Sequence, residues 1–136
     1  MRIAVIDGQG GGIGKLITEK LRQSCGEKVD ILVLGTNALA TTNMLKAGAN
    51  EGATGESAIC YNVDKVDIIV GPLGIIIPYA FLGELTPRMA EAICRSTANK
   101  ILVPINKCGV DLAISANEPL PHQVEQLVLK VKRYIK

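Results

Sequence analysis

A chain of 136 residues that is 48% hydrophobic has the size of one ordinary domain and the apolar content for a substantial core, which excludes a disordered chain. Its 15 basic and 13 acidic residues leave a formal charge of +2, interspersed along the chain, and with 3 tyrosines, 1 phenylalanine and no tryptophan there is little to stack on bases, so nucleic-acid binding has no support. Four cysteines without a C-x-x-C pair and a single histidine, His122, spell no metal set.

The first element is a short buried strand from Arg2 to Asp7, and a helix is predicted from Gly12 to Ser24 with Ile13, Leu16, Ile17 and Leu21 on one face. Between them runs Gly8-Gln9-Gly10-Gly11-Gly12-Ile13-Gly14-Lys15. A strand that hands over to a helix through residues without side chains lets backbone N–H groups approach an anion, with the positive end of the helix dipole behind them.

The remaining elements alternate in the same way. Val29 to Leu34 reads as the second strand, Asn37 to Ala47 as a helix, and Gly48 to Gly55 as a glycine-rich loop that holds a second polar ligand group or moves freely. A short helical stretch, Glu56 to Tyr61, precedes a third strand at Asp67 to Val70. Thr86 caps a helix whose first position is Pro87, with Met89, Ala90 and Ile93 facing inward. Ile101 to Ile105 is the fourth strand, Val110 to Ser115 a candidate fifth, and Pro119 to Ile135 the closing helix. The basic cluster Lys130, Lys132, Arg133 and Lys136 at its end offsets the dipole.

Near-continuous apolar runs separated by helices predict a three-layer α/β/α sandwich, Rossmann-like, with a mostly parallel sheet of four to five strands in a single domain over residues 1–136. Ligands in such sheets bind beyond the carboxyl ends of the strands. The candidate site is therefore Gly8, Gln9, Gly10, Gly11, Gly12, Ile13, Gly14 and Lys15 after the first strand, Thr36 and Asn37 after the second, Gly71 and Pro72 after the third, and Asn106 after the fourth.

The loop departs from G-x-G-x-x-G, because Ile13 stands where the third glycine belongs, but G-x-x-x-G-x-G fits at Gly8, Gly12 and Gly14. In that form it resembles the cofactor loop of short-chain dehydrogenases and reductases, which implies NAD or NADP. Gly11-Gly12-Ile13-Gly14-Lys15 also resembles the loop of the ParA and MinD type of ATPase, but Leu16 cannot ligate Mg²⁺ and Gly10 replaces that family's signature lysine, so phosphoryl transfer lacks a required part. Taken whole, Ile3 to Lys15 together with Leu34 to Gly55 resembles a small bacterial family known as a domain of unknown function, which implies no activity.

A dinucleotide site ordinarily carries an acid at the tip of the second strand to bind the ribose. Here Leu34-Gly35-Thr36-Asn37 supplies no carboxylate, and no arginine waits for a 2′-phosphate; Thr36 and Asn37 bond a ribose or cap the following helix. Tyr61 and Lys65 spell the reductase Y-x-x-x-K, but before the third strand, which is the wrong place for catalysis. Asp7 is expected to order backbone N–H groups, and Arg88 needs an anionic partner that Glu84 could provide, with Lys107 the remaining charge near a strand tip.

Cys25, Cys60 and Cys94 read as small buried hydrophobes, while Cys108 beside Lys107 has a surrounding that could lower a thiol pKa. The uncharged run Ile68 to Gly83 is shorter than a span of about 20 residues and is broken by Gly71, Pro72, Gly74 and Pro78. With no leader pattern, the expectation is a cytoplasmic protein with no membrane partner. Two readings stand: a protein binding a nucleotide-like small molecule through Gly8 to Lys15, or a non-enzymatic interaction protein with a structural glycine loop. In both, the apolar stretch Ile75 to Leu82 is expected to form a homo-oligomer contact or cover a ligand.

Overall fold

Three uninterrupted apolar runs become the middle of one sheet because the strand pleat sends alternate side chains to opposite faces. In the computed structural model, which describes residues 1–105, 108–114 and 117–135, the strands are β1 (Arg2–Asp7), β2 (Asp30–Gly35), β3 (Glu51–Thr54), β4 (Ile68–Pro72) and β5 (Asn99–Val103). The helices are α1 (Gly12–Cys25), α2 (Ala38–Lys46), α3 (Glu56–Asn62), α4 (Pro87–Arg95) and α5 (Leu120–Lys132). All strands pair in parallel in the order β3-β2-β1-β4-β5. The fold is Rossmann-like α/β, as the apolar runs predict.

Ile3, Val5, Ile31, Val33, Ile68 and Val70 face one layer, built by α1, α2 and α5 through Ile17, Leu21, Met44, Val124 and Leu127. Ala4, Ile6, Leu32, Leu34 and Ile69 face the other, against Ile59 of α3, Met89 and Ile93 of α4, and Ile75, Phe81 and Leu85 of the segment between β4 and α4. Burying a large aliphatic side chain stabilises by roughly 1.5–3 kcal/mol, so these two layers hold the sheet. Thr86 Oγ1 accepts from Met89 N at 3.1 Å to start α4, with Pro87 at its first position, as expected.

Three expectations need correction. The loop Gly48 to Gly55 contains the edge strand β3, held by Asn50 Oδ1, which accepts from Ile31 N at 2.8 Å, and by Arg2, which pairs with Glu51 at 3.3 Å. The fifth strand expected at Val110 to Ser115 is absent from residues 110–114, and Ser115 lies outside the described residues. The stretch Ile75 to Leu82 is apolar surface only in part: after β4 the chain makes one 3₁₀ turn (Leu73–Ile76) and folds Ile75, Ala80, Phe81 and Leu85 into the core, leaving Tyr79 69% and Leu82 97% exposed. Among the described residues no helix is long and apolar enough to cross a membrane, and no His, Cys, Asp and Glu group could hold a metal ion.

Candidate functional site

The chain passes from β1 out to β2 and β3 and then returns to the other side of β1 for β4 and β5, so strand order reverses beside β1. Ligands of open parallel sheets bind at that reversal, which places the glycine loop at the expected point. The last residue of β1, Asp7, is buried; its Oδ1 accepts from Gly8 N at 2.8 Å and its Oδ2 from Gly14 N at 2.7 Å. Burial raises the Asp7 pKa above its ordinary value, further aided by the charge of Glu84, while hydrogen bonds from the amides of Gly14, Gly8 and Ile13 pull against it and lose. As expected, Asp7 orders the loop.

The glycines then divide. A Cβ on Gly8 would stand 2.7 Å from Phe81 Cδ2 and 2.7 Å from Thr36 Oγ1, and one on Gly11, at φ +71°, would stand 2.8 Å from Ala40 Cα. One on Gly14 would run into the Met44 sulfur. These three are required by packing. Gly10 and Gly12 are exposed, have no left-handed φ, and a Cβ on either would meet nothing within 4 Å. Among the described residues neither of their amides donates a hydrogen bond; Gly10 O accepts from Asn43 Nδ2 at 2.8 Å. Lys15, in the first turn of α1, is exposed. Ile13 packs in part against the core on the α1 side.

At the tip of β2, Asn37 Oδ1 accepts from Ala40 N at 2.9 Å and so caps α2, the second of the two roles open to it. Its Nδ2 donates to Gln9 O at 2.9 Å and to Glu84 Oε1 at 2.9 Å. The same Glu84 oxygen accepts from Thr36 Oγ1 at 2.6 Å and from Gln9 N at 2.8 Å. Burial works to raise the Glu84 pKa, but the hydrogen bonds from Thr36, Gln9 and Asn37 outweigh it and hold the carboxyl below the ordinary glutamate value. The tip of β2 therefore does have a carboxylate beside it, delivered from the segment after β4. Its sequence signal was available, since Glu84 is the sole acidic residue between Asp67 and Glu91. Arg88 is not its partner: Arg88 Nε lies 3.8 Å from Glu56 Oε1, and the side chain is 79% exposed.

Gly71 and Pro72 are buried in β4, and a Cβ on Gly71 would collide with the Ile6 carbonyl, so this pair lets β4 close against β1. The mouth beside them is filled by the turn Leu73–Ile76, where Gly74 N donates to Ile105 O at 3.3 Å, and by Phe81. Asn106 and Lys107 lie outside the described residues.

A family model for a domain of unknown function, DUF3842, matches residues 2–136. The chain belongs to the DUF3842 family. No curated protein matches the sequence. Among solved structures, the DUF3842 chain is similar to an apo saccharopine dehydrogenase (L-Glu forming) from Saccharomyces cerevisiae, with a TM-score of 0.50 and 13% identity over 93% of this chain and 24% of that one. It thus spans about a quarter of that enzyme. An FMN-dependent UbiX-like decarboxylase from Escherichia coli O157:H7 matches with a TM-score of 0.49 and 16% identity over 98% of this chain and 75% of the other. At these identities the likeness concerns the fold alone.

The reductase-like pair of the DUF3842 chain sits at the end of α3, where the chain re-enters the sheet at the start of β4, opposite the glycine loop. There Lys65 Nζ donates to Tyr61 O at 3.2 Å and lies 3.9 Å from the Tyr61 ring centroid, a surface staple rather than a proton relay. A groove of about 500 Å³ between α3 and α4, lined by Cys60, Asp64, Arg88, Glu91, Ala92 and Arg95, shares no residue with the loop. Cys25 is buried and burial pushes its thiol up; Cys60 is half-buried and shifted the same way for the same reason. Cys94, expected inside, is exposed on the outer face of α4, and Cys108 is exposed as well.

Proposed function

We propose that the protein binds a nucleotide or dinucleotide through its phosphate at Gly8 to Lys15, with NAD and NADP the first candidates. The observation that carries this reading is the pair Gly10 and Gly12. Nothing in the fold requires a glycine at either position, and a glycine in a helix's first turn costs up to about 1 kcal/mol relative to alanine. What the missing side chains provide is open space over two undonated amides at the N-terminus of a 14-residue helix, with Lys15 on the same turn. That arrangement suits an anion carried by something outside the chain.

The second reading, a structural loop in an interaction protein, is favoured by Gly8, Gly11 and Gly14, each packed against the chain's own atoms. It leaves Gly10 and Gly12 unexplained. The deciding measurement is thermal unfolding against NAD, NADP, ATP with and without Mg²⁺, FAD and coenzyme A, for wild type and Gly12→Val. A ligand at a hundred times its Kd adds about 2.7 kcal/mol, several degrees in a chain of this size. A Cβ at Gly12 meets nothing within 4 Å, so the variant should keep a midpoint close to that of the wild type and lose the shift. A flat panel for the wild type, or a shift that Gly12→Val retains, removes the reading.

A further inference from the structure

Resting on the nucleotide reading of the loop, we propose that Glu84 is the residue that recognises the ligand's ribose: its carboxylate accepts the free 2′- and 3′-hydroxyls and turns away a 2′-phosphate. In parallel sheets with a glycine loop after β1, the ribose lies between that loop and the tip of β2, where an acid ordinarily stands. Here β2 ends in Gly35 and continues through Thr36 and Asn37, none of them acidic. Glu84 occupies the vacant role from 48 residues further along the chain than Thr36.

The division of labour between its two oxygens supports the assignment. Oε1 carries all three anchoring bonds, from Thr36 Oγ1 at 2.6 Å, Gln9 N at 2.8 Å and Asn37 Nδ2 at 2.9 Å. Oε2 accepts no hydrogen bond among the described residues, although the side chain is only partly exposed. One oxygen fixes the group to the loop and to β2, and the other remains as an acceptor for a hydroxyl. The same bonds keep the group ionised. No lysine or arginine pairs with Glu84 among the described residues, so a phosphate on the ribose 2′ position would meet a carboxylate that none of them neutralises.

The test is calorimetric titration of wild type, Glu84→Gln, Glu84→Ala and Gly12→Val with inorganic pyrophosphate, ADP, 2′-deoxy-ADP and ADP carrying a 2′-phosphate. Wild type should bind ADP about 10-fold or more tightly than 2′-deoxy-ADP, the worth of a hydrogen bond to a charged acceptor, and the 2′-phosphorylated form more weakly still. Both Glu84 variants should flatten these ratios, Glu84→Gln with pyrophosphate still bound because its amide oxygen can go on accepting from Gln9 N, and Glu84→Ala with the loop loosened as well; Gly12→Val should abolish binding of all four. Equal wild-type affinity for ADP and 2′-deoxy-ADP overturns the role of Glu84 without any variant and leaves the loop standing if pyrophosphate still binds. Tighter binding of ADP itself by Glu84→Gln overturns it too, since Glu84 would then be an occupant that the ligand expels. If neither pyrophosphate nor ADP binds the wild type, the loop reading falls and Glu84's role with it.

Discussion

Asp7 and Glu84 hold one glycine loop between them, Asp7 through the amides of Gly8 and Gly14 and Glu84 through that of Gln9. Their ionisations are displaced in opposite directions, because Asp7 is enclosed and Glu84 is anchored by three donors on a partly exposed side chain.

The Asp7 pKa is raised above 3.8, so the folded state holds the proton more tightly than the unfolded chain. The stability this gives is complete below 3.8 and is lost as pH rises through the folded value. Asp7→Asn removes the titration and points an amide NH₂ at the N–H of Gly8 or Gly14, a cost of about 1–3 kcal/mol. Urea unfolding from pH 3.5 to 7 should therefore show a gap between wild type and Asp7→Asn that narrows as pH rises. A gap that widens shows that burial does not govern this carboxyl.

Glu84 should give the mirror image. Its pKa is lowered below 4.5, so its contribution is present above that pH and disappears as pH falls through the folded value. In the same titration the gap between wild type and Glu84→Gln should close towards acid, and a gap independent of pH would mean that the three anchoring bonds do not favour the ionised form.

Alanine should separate the loop's two kinds of glycine. Gly11→Ala sets a side chain in the left-handed region 2.8 Å from Ala40 Cα and should cost at least about 2 kcal/mol, whereas Gly12→Ala meets open space in the first turn of α1 and should be neutral or stabilise by up to about 1 kcal/mol. Equal denaturation midpoints for the two variants would remove the distinction on which the ligand site rests.

That distinction could not be read from the letters, since Gly10, Gly11 and Gly12 are identical neighbours and only Ala40, brought up by α2, tells them apart. The central strands were legible because Ile3 to Ile6, Ile31 to Leu34 and Ile68 to Val70 are apolar on both faces, the mark of a parallel strand covered on both sides. The edge strand β3, Glu-Gly-Ala-Thr and mostly exposed, has no such mark; its pairing with β2 and the Asn50 side chain determine it. Val110 to Ile114 alternates like a strand and is not one, because alternation records a preference and an available partner strand decides. Glu84 escaped assignment to β2 because the pairing spans 48 residues.

Arg22 offers a test of what fastens β3's approach. Its Nε donates to Gly48 O at 2.9 Å, Nη1 to Gly26 O at 2.6 Å, and Nη2 to Asn50 Oδ1 at 2.7 Å, so one side chain ties the end of α1 to the turn before β3. Arg22→Ala should cost about 2 kcal/mol and speed amide exchange first in residues 48–54. Uniform loss of protection across the sheet would contradict a local clamp.

Leu82 is 97% exposed at φ 55°, a left-handed conformation that costs an ordinary residue about 1–2 kcal/mol and asparagine less. Leu82→Asn should raise Tm by a few degrees, since the side chain it replaces lies in solvent and holds nothing in the core. An unchanged or lowered Tm would show that the leucine side chain contributes to stability there.

The central position of β1 also governs how the chain can fold as it is made. Ile3 pairs with Ile31 on one side and with Ile68 on the other, so β1 keeps one open edge until β4, further along the chain than β2 and β3, has been made. Among the described residues no hairpin shortens the wait, because every neighbouring pair of strands in the sheet is parallel. A nascent chain that stops short of β4 leaves Ile3 to Ile6 along an unpaired edge, and that is the stage at which a chaperone has most to shield.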